Sequence, residues 1–531
     1  MFLVSRGTAP APGTVSLPQV TMQFQCHAGW TAIGMGVTLT AHTASEADVP
    51  RPEVALPADG LIAVVKRDCP TCELTAPVLA ELAAFGGLTV FTQDDPTFPE
   101  AVPHRIDDTS LDVSHTLKIE IVPTLIRRAD GLDVDRTYGW DRAEWERVSG
   151  FQGIGAGLPG FRPGCGALNV EPGTLEDLLV RFEETGLTAR RVELGDDEDE
   201  FEATFARGWS DGLPVVPPTE QRVLRMLAGT SRDPGEVVGL CPPNLAPLTV
   251  EKVAINAVMA GCKPEYLPVV LAAVEAALDP AFSMHGVLAT TMFVGPVLVV
   301  NGPIRRQIGM NARGNALGQG NRANATIGRA LQLIIRNVGG GRPQEVDRAT
   351  LGNPGKYTYC FAEDEEGSSW EPLSVERGLA RDVSAVTVFA GFGLQGVVDQ
   401  KSRDPESLSR SFAESLKAIH NVKLAPACDA MLVVCPEHER TFRNAGWSKA
   451  RLYEELYKLC EIPGDQLVAG ARGIAEGHSP AVIGTIRNKF RPGGLLIVRA
   501  GGAAGMFSGI IGGWSSGGPG GSLPVTREVK S

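Results

Sequence analysis

Cys69-Pro70-Thr71-Cys72 sets two thiols three positions apart, after the apolar run Leu61 to Val65 and at the head of a stretch, Cys72 to Phe85, that reads as a helix. A strand that ends in Cys-x-x-Cys at a helix start is the layout of a thiol–disulfide site. The partial positive charge of a helix N-terminus favours thiolate over thiol at the first cysteine. Two cysteines one turn apart can then pass between dithiol and disulfide with little backbone movement. In this reading Cys69 attacks as thiolate, and Cys72, shielded inside the helix turn, resolves the mixed disulfide. The spacing also serves zinc sites, so the motif alone leaves both chemistries open. Asp68 directly precedes Cys69, and its carboxylate is expected to raise that thiol's pKa, with Lys66 and Arg67 as a partial offset.

The elements that must position this pair read as a strand (61–66), the motif helix (69–85), a strand (88–92), a helix near 110–117, a strand at 121–126, a strand at 133–138 and a helix at 141–148. Pro123 enters the apolar run Ile121 to Ile126, although proline is excluded from central strands and belongs at a strand's start, an edge or a bulge. Together, the Cys-x-x-Cys and the Val122-Pro123-Thr124 step resemble the thioredoxin family, in which such a step carries a cis-proline packed against the cysteines. The resemblance covers roughly residues 55–150. It implies a cis Val122–Pro123 bond facing Cys69, with Pro123 in the catalytic set and Val122 and Thr124 as substrate-binding positions that offer backbone to a partner polypeptide. The chain departs from the family in Asp68, where an aromatic residue is usual, in the Pro-Thr between the cysteines, and in a long polar segment from Asp94 to Asp108.

The whole chain of 531 residues has room for several cores, and 43% hydrophobic with 21% charged residues is ordinary globular composition. A net charge of −13 without a basic run argues against a nucleic-acid partner. Ten cysteines, only 69 and 72 closely paired, fit a reducing cytosol, and with no secretory signal or membrane span the expectation is a cytoplasmic protein. The expected partner is a thiol or disulfide protein or a small redox molecule, with no cofactor and no metal. Association of the chain with copies of itself stays open. Alternating strands and helices give the fold class as α/β, a thioredoxin-like domain followed by a larger multi-layer α/β module. The expected divisions are a mobile extension (1–54), the first domain (55–150), a linker with a short helix and an acidic stretch (151–204), and two halves of the large module (205–380 and 381–531).

In the large module, Asp211-Gly212-Leu213-Pro214-Val215-Val216-Pro217-Pro218-Thr219, Asn256 to Cys262, Pro264 to Val270, Val300-Asn301-Gly302-Pro303, Arg322 to Ala330, Gly446-Trp447-Ser448-Lys449 and Phe507 to Trp514 are similar to the UGSC-type (seleno)protein family over roughly residues 205–531. That resemblance implies thiol or selenol chemistry and no particular reaction. The Gly-Ser-Cys string that names the family is absent here. Cys262, at a joint between two helices, and Cys241, in a proline-rich loop, are candidate reactive thiols, each weighed against a buried filler role. Cys435 and His438 could meet at a strand end. An Asn/Arg/Gly-rich segment that includes Asn301, Arg305, Arg322 and Asn324 suits carboxylate or phosphate, or is a turn-rich surface loop. The glycine-rich tail beyond Gly501 permits close backbone approach to a ligand and matches no nucleotide fingerprint.

Three functions stay in play. The first is a thiol–disulfide oxidoreductase coupled to the large module, with electrons passing to Cys262 first and Cys241 second. The second is a cysteine-dependent lyase or reductase of a small anionic molecule, served by Cys262, Cys241, Arg322 and Asn324, with the thioredoxin-like domain as reductant. The third is a non-catalytic thioredoxin-like scaffold.

Overall fold

Leu61 to Val65 is apolar without alternation, a pattern that can be buried on both faces only inside a layered sheet. In the computed structural model, which describes residues 2–4, 54–195, 197–515 and 521–530, this run lies in β1 (Gly60–Val65), the central strand of a five-stranded sheet. The elements follow in the order α1 (Pro70–Phe85), β2 (Leu88–Thr92), β3 (Arg105–Asp107), α2 (Asp112–Thr116), β4 (Ile121–Val122), β5 (Thr124–Ala129), β6 (Leu132–Tyr138), α3 (Arg142–Ser149), β7 (Cys165–Gly166) and α4 (Thr174–Arg181). The sheet order is β3-β2-β1-β5-β6, with β1, β2 and β3 parallel and β5 and β6 antiparallel. Pro123 interrupts the ladder between β4 and β5, where its missing N–H costs nothing. The Val122–Pro123 bond is cis, in line with the sequence reading.

This unit spans Ser5–Glu184, and Met1–Val4 with Thr185–Ser531 make a second unit. The stretch 151–204, expected to be a linker, is therefore divided between them rather than standing apart. Its first part packs: Ile154 and Ala167 are buried in the core around β1 and α1, together with Trp140 and Trp145. The expected mobile extension falls outside the described residues except at 2–4, where a short strand pairs with Arg191–Glu193, and at Val54.

The second unit is built on α5 (Val250–Ala260), α6 (Leu267–Leu278), β8 (Gly295–Asn301), α7 (Arg322–Asn337), β9 (Cys360–Ala362), β10 (Ala385–Val398), α8 (Pro405–Ala418), β11 (Cys428–Val434), α9 (Pro436–Asn444), α10 (Lys449–Leu459), β12 (Leu495–Arg499), β13 (Phe507–Ser515) and β14 (Val525–Glu528). One seven-stranded sheet runs β9-β8-β10-β13-β11-β12, with β14 also on β10. It takes strands from both sides of residue 380, so the expected division into two halves is replaced by a single layer. Alternation along β8 sends Leu298 and Val300 into the core with α5, α6 and α7, and Val297 and Val299 into the core on the opposite face. Thr249 caps α5 by accepting from the Lys252 amide.

Of the glycine-rich tail expected to approach a ligand, Gly512 and Gly513 lie instead in the interior strand β13, and Gly517 and Gly518 fall outside the described residues. A Cβ on Gly512 would lie 2.1 Å from the Phe392 ring, and one on Gly513 would lie 2.6 Å from the Phe389 ring. Glycine is needed here because aromatic side chains of the neighbouring strand occupy the space. Among the described residues no helix is long and apolar enough to cross a membrane.

Candidate functional site

Cys69 is the N-cap of α1, extended at φ −150° and ψ 108°, with Pro70 at the first helical position. Its Sγ accepts from the Cys72 amide at 3.2 Å and, when protonated, donates to the Val122 carbonyl at 3.6 Å. The helix start and the proline step therefore meet at one sulfur. The Cys69 thiol is brought down to about 5. A hydrogen bond from the Cys72 thiol is the largest cause; burial opposes it, and the Cys165 thiol and the amides of Cys72 and Thr71 lower it further. Cys72 is fully buried, and burial first, then hydrogen bonding to Cys69, push its thiol far up, with the Cys69 charge adding a smaller part.

The rise expected from Asp68 does not govern Cys69, whose net shift is downward. Asp68 is exposed, and its amide and that of Arg67 both donate to the Asp94 carboxylate, at 2.8 and 2.7 Å. The polar segment after β2 thus fastens the turn that leads into Cys69, with Arg67 paired to Asp95 and Glu100.

The positions expected to receive a partner polypeptide are covered by the chain itself. β7 pairs antiparallel with β4, Cys165 opposite Val122 and Gly166 opposite Ile121. Val122 and Thr124 are buried, and the Thr124 hydroxyl donates back to the Ile121 carbonyl at 2.6 Å. The segment fits only with glycine at 164, since a Cβ there would lie 2.3 Å from Ile121 Cγ2 and 2.7 Å from the Val122 oxygen. Thr71 Oγ1 donates to the Pro163 carbonyl at 2.7 Å, tying the segment to the motif loop. Cys165 thus joins Cys69 and Cys72, a placement that its distance in sequence and its Gly/Pro-rich surroundings concealed.

The large module treats its candidates differently. Cys262 and Cys241 are buried, and burial pushes both thiols up to about 12, which keeps both protonated at neutral pH. Cys262 nevertheless lines a cavity of about 220 Å³ with Arg222, Arg225, Lys263 and Arg322. Asn324 does not belong to that lining: its side chain donates to the carbonyls of Asn311 and Ala316, at 2.8 and 3.1 Å, and fixes the loop before α7. Arg305 is likewise internal, paired with Glu365 and Glu366, and Asn301 donates to Glu363 and Glu365. Most of the Asn/Arg-rich segment is thus structural, and Arg322 is its member at a cavity.

Cys435 and His438 do meet, through Ser508. The Ser508 hydroxyl oxygen accepts from the Cys435 amide at 3.0 Å and lies 2.7 Å from His438 Nδ1, while His438 Nε2 donates to the Asp399 carbonyl at 3.0 Å. Burial raises the Cys435 thiol, but hydrogen bonding to His438 and Ser508 outweighs it and the net shift is downward. All three side chains are buried. Among the described residues no group of three or more His, Cys, Asp and Glu is placed to hold a metal ion. No protein family model, no curated protein and no solved structure matches the chain.

Proposed function

We propose that this chain is a thiol–disulfide oxidoreductase whose working thiolate is Cys69, seated in a thioredoxin-like domain. The observation that carries the reading is the placement of Cys69 at the cap of a 16-residue helix, its sulfur accepting from the Cys72 amide and facing the Val122 carbonyl of the proline step, with the thiol brought down to about 5. A thiolate so stabilised is both nucleophile and leaving group at neutral pH, which is what disulfide exchange requires. The likeness of residues 205–531 to the UGSC-type family belongs to the same proposal and leaves the reaction of that unit unnamed. The full chain should reduce insulin disulfides with dithiothreitol as electron source, and Cys69→Ser should fall to the uncatalysed rate. Equal rates for the two proteins would favour the scaffold reading.

A second reading is supported by the cavity at Cys262. Four cationic side chains around about 220 Å³, in a protein of net charge −13, suit a small anion. With the thiol up at about 12, Cys262 would line the cavity rather than attack. Arg322→Ala should weaken binding of inorganic phosphate to the full chain by roughly tenfold or more, as read by calorimetry, since hydrogen bonds to charged groups contribute about 1.5–3 kcal/mol. No measurable heat with either protein would remove this reading.

A further inference from the structure

Cys165 lies in a segment that the sequence marks as a connection, and the structure lays it against the catalytic loop in the place where an added strand would pair. Strand addition at a sheet edge is a common way to present an extended peptide. Here the edge formed by Ile121–Val122 is already paired, by Cys165–Gly166, so the sulfur that a partner would bring is supplied from within. The Val122 carbonyl, which faces Cys69 Sγ at 3.6 Å, belongs to the residue directly opposite Cys165. The tight fit at Gly164 and the bond from Thr71 to Pro163 hold this register. Cys165 is partly exposed, whereas Cys69 is 1% and Cys72 0% exposed.

We propose that Cys165, rather than Cys72, is the thiol that resolves mixed disulfides on Cys69, so that the oxidised site carries a Cys69–Cys165 disulfide. This rests on the reading of Cys69 as the working thiolate. The step balances with a disulfide RS–SR as oxidant. The Cys69 thiolate attacks one sulfur, its S–S bond breaks, and RS⁻ leaves. Cys165 then attacks Cys69 Sγ and expels the second RS⁻, with the Cys165 proton passing to one of the two departing thiolates. Two electrons leave the protein thiols, and two RS groups end as thiol or thiolate.

Accessibility separates the two resolving candidates, Cys165 being partly exposed and Cys72 fully buried, and the electrostatics point the same way. Burial is the largest cause raising either thiol, with the Cys69 thiolate acting through hydrogen bond and charge as well. Once Cys69 is in a mixed disulfide its charge is gone. Cys165 then keeps the Thr71 amide and the Lys66 cation, both favouring its thiolate, against the milder burial of a partly exposed residue; Cys72 keeps the Lys66 amide in its favour against the full burial that dominates its rise. In the reverse direction, an external thiolate meets the more exposed Cys165 sulfur and releases Cys69, whose low pKa makes it the better leaving group.

The test uses the full chain, wild type, Cys72→Ser and Cys165→Ser, exposed to hydroxyethyl disulfide, quenched in acid and mapped by mass spectrometry. Serine preserves size at 165, so the β4–β7 pairing is retained. Cys72→Ser should close a Cys69–Cys165 disulfide at the wild-type rate. Cys165→Ser should accumulate mercaptoethanol on Cys69 and resolve it at least about tenfold more slowly, since the thiol left beside Cys69 is the fully buried Cys72. The proposal is overturned if Cys165→Ser instead forms Cys69–Cys72 at the wild-type rate while Cys72→Ser accumulates the adduct; the oxidoreductase reading would then survive. If Cys69 forms neither adduct nor disulfide in any of the three proteins, both fall.

Discussion

Alkylation of Cys69 by iodoacetamide should be nearly independent of pH from about pH 6 upward, where the rate for an ordinary thiol climbs about tenfold per pH step until it ionises. The thiol at about 5 is mostly thiolate throughout that range. At about pH 6 the ionised fraction exceeds that of a free thiol of pKa about 8.5 by roughly 300-fold. Intrinsic nucleophilicity falls with basicity, and a Brønsted slope of about 0.45 takes back roughly 40-fold. The net advantage over the free thiol is therefore roughly tenfold near pH 6, and it reverses to a disadvantage of roughly 30-fold near pH 9. Burial lowers both limbs equally, so the shape of the profile carries the test rather than its height. A Cys69 rate that rises steeply from pH 6 to pH 8 would show an ordinary thiol and remove the basis of the proposed activity. The same shift fixes the sign of its effect on folding. A thiol depressed in the folded state adds stability that is complete above its unfolded pKa and is lost as pH falls through about 5.

Where a signal is local, the sequence carries it well. The strands at Leu88–Thr92 and Leu495–Arg499 and the helix at Lys449–Leu459 lie between the residues where pattern and flanking glycine or serine place them. The Cys-x-x-Cys and the proline step were legible for the same reason, since each is a short run with a fixed local geometry. Cys165 was not, because its placement depends on a two-residue pairing with Val122 across more than forty positions, and no periodicity announces so short a strand. Ser508, which bridges Cys435 and His438, is hidden in the same way by 70 residues of intervening chain. β13 misled through composition: its glycines read as loop, yet they answer the rings of Phe389 and Phe392 on the neighbouring strand. Asp68 misled through proximity: it is exposed, its backbone amide is tied to Asp94, and the net shift at Cys69 is downward despite its adjacency.

Replacing Arg499 by methionine should destabilise the unit that contains residues 185–531 by about 3–5 kcal/mol, the cost of leaving a buried charge without its partner. Arg499 ends β12, and its side chain, 7% exposed, pairs with Asp364, whose own is 6% exposed. Asp364 is held from the other direction as well, its amide donating to the Arg499 carbonyl at 2.8 Å. Arg499 Nε also lies 3.5 Å from Glu439, but Glu439 keeps Arg443 at 3.6 Å and the Ser369 hydroxyl at 3.2 Å. Asp364 keeps the Gly367 amide at 3.2 Å but loses its cation, so it is the charge left uncompensated. Arg499→Met with Asp364→Leu should recover most of the loss, because an apolar pair of similar volume needs no counter-charge. A chain of two units does not unfold in one step, so the readout is hydrogen exchange of the β11 and β12 amides rather than a single melting temperature. A loss below about 1 kcal/mol in the single variant would reduce the pair to the worth of a surface contact. A double variant as unstable as the single one would place the cost in packing instead of charge. Val434 pairs with Arg499 in the β11–β12 ladder, and Cys435 follows it. Glu439 lies in the first turn of α9 beside His438. Protection in the single variant should accordingly fall first at the start of α9, beneath the Cys435–His438 pair.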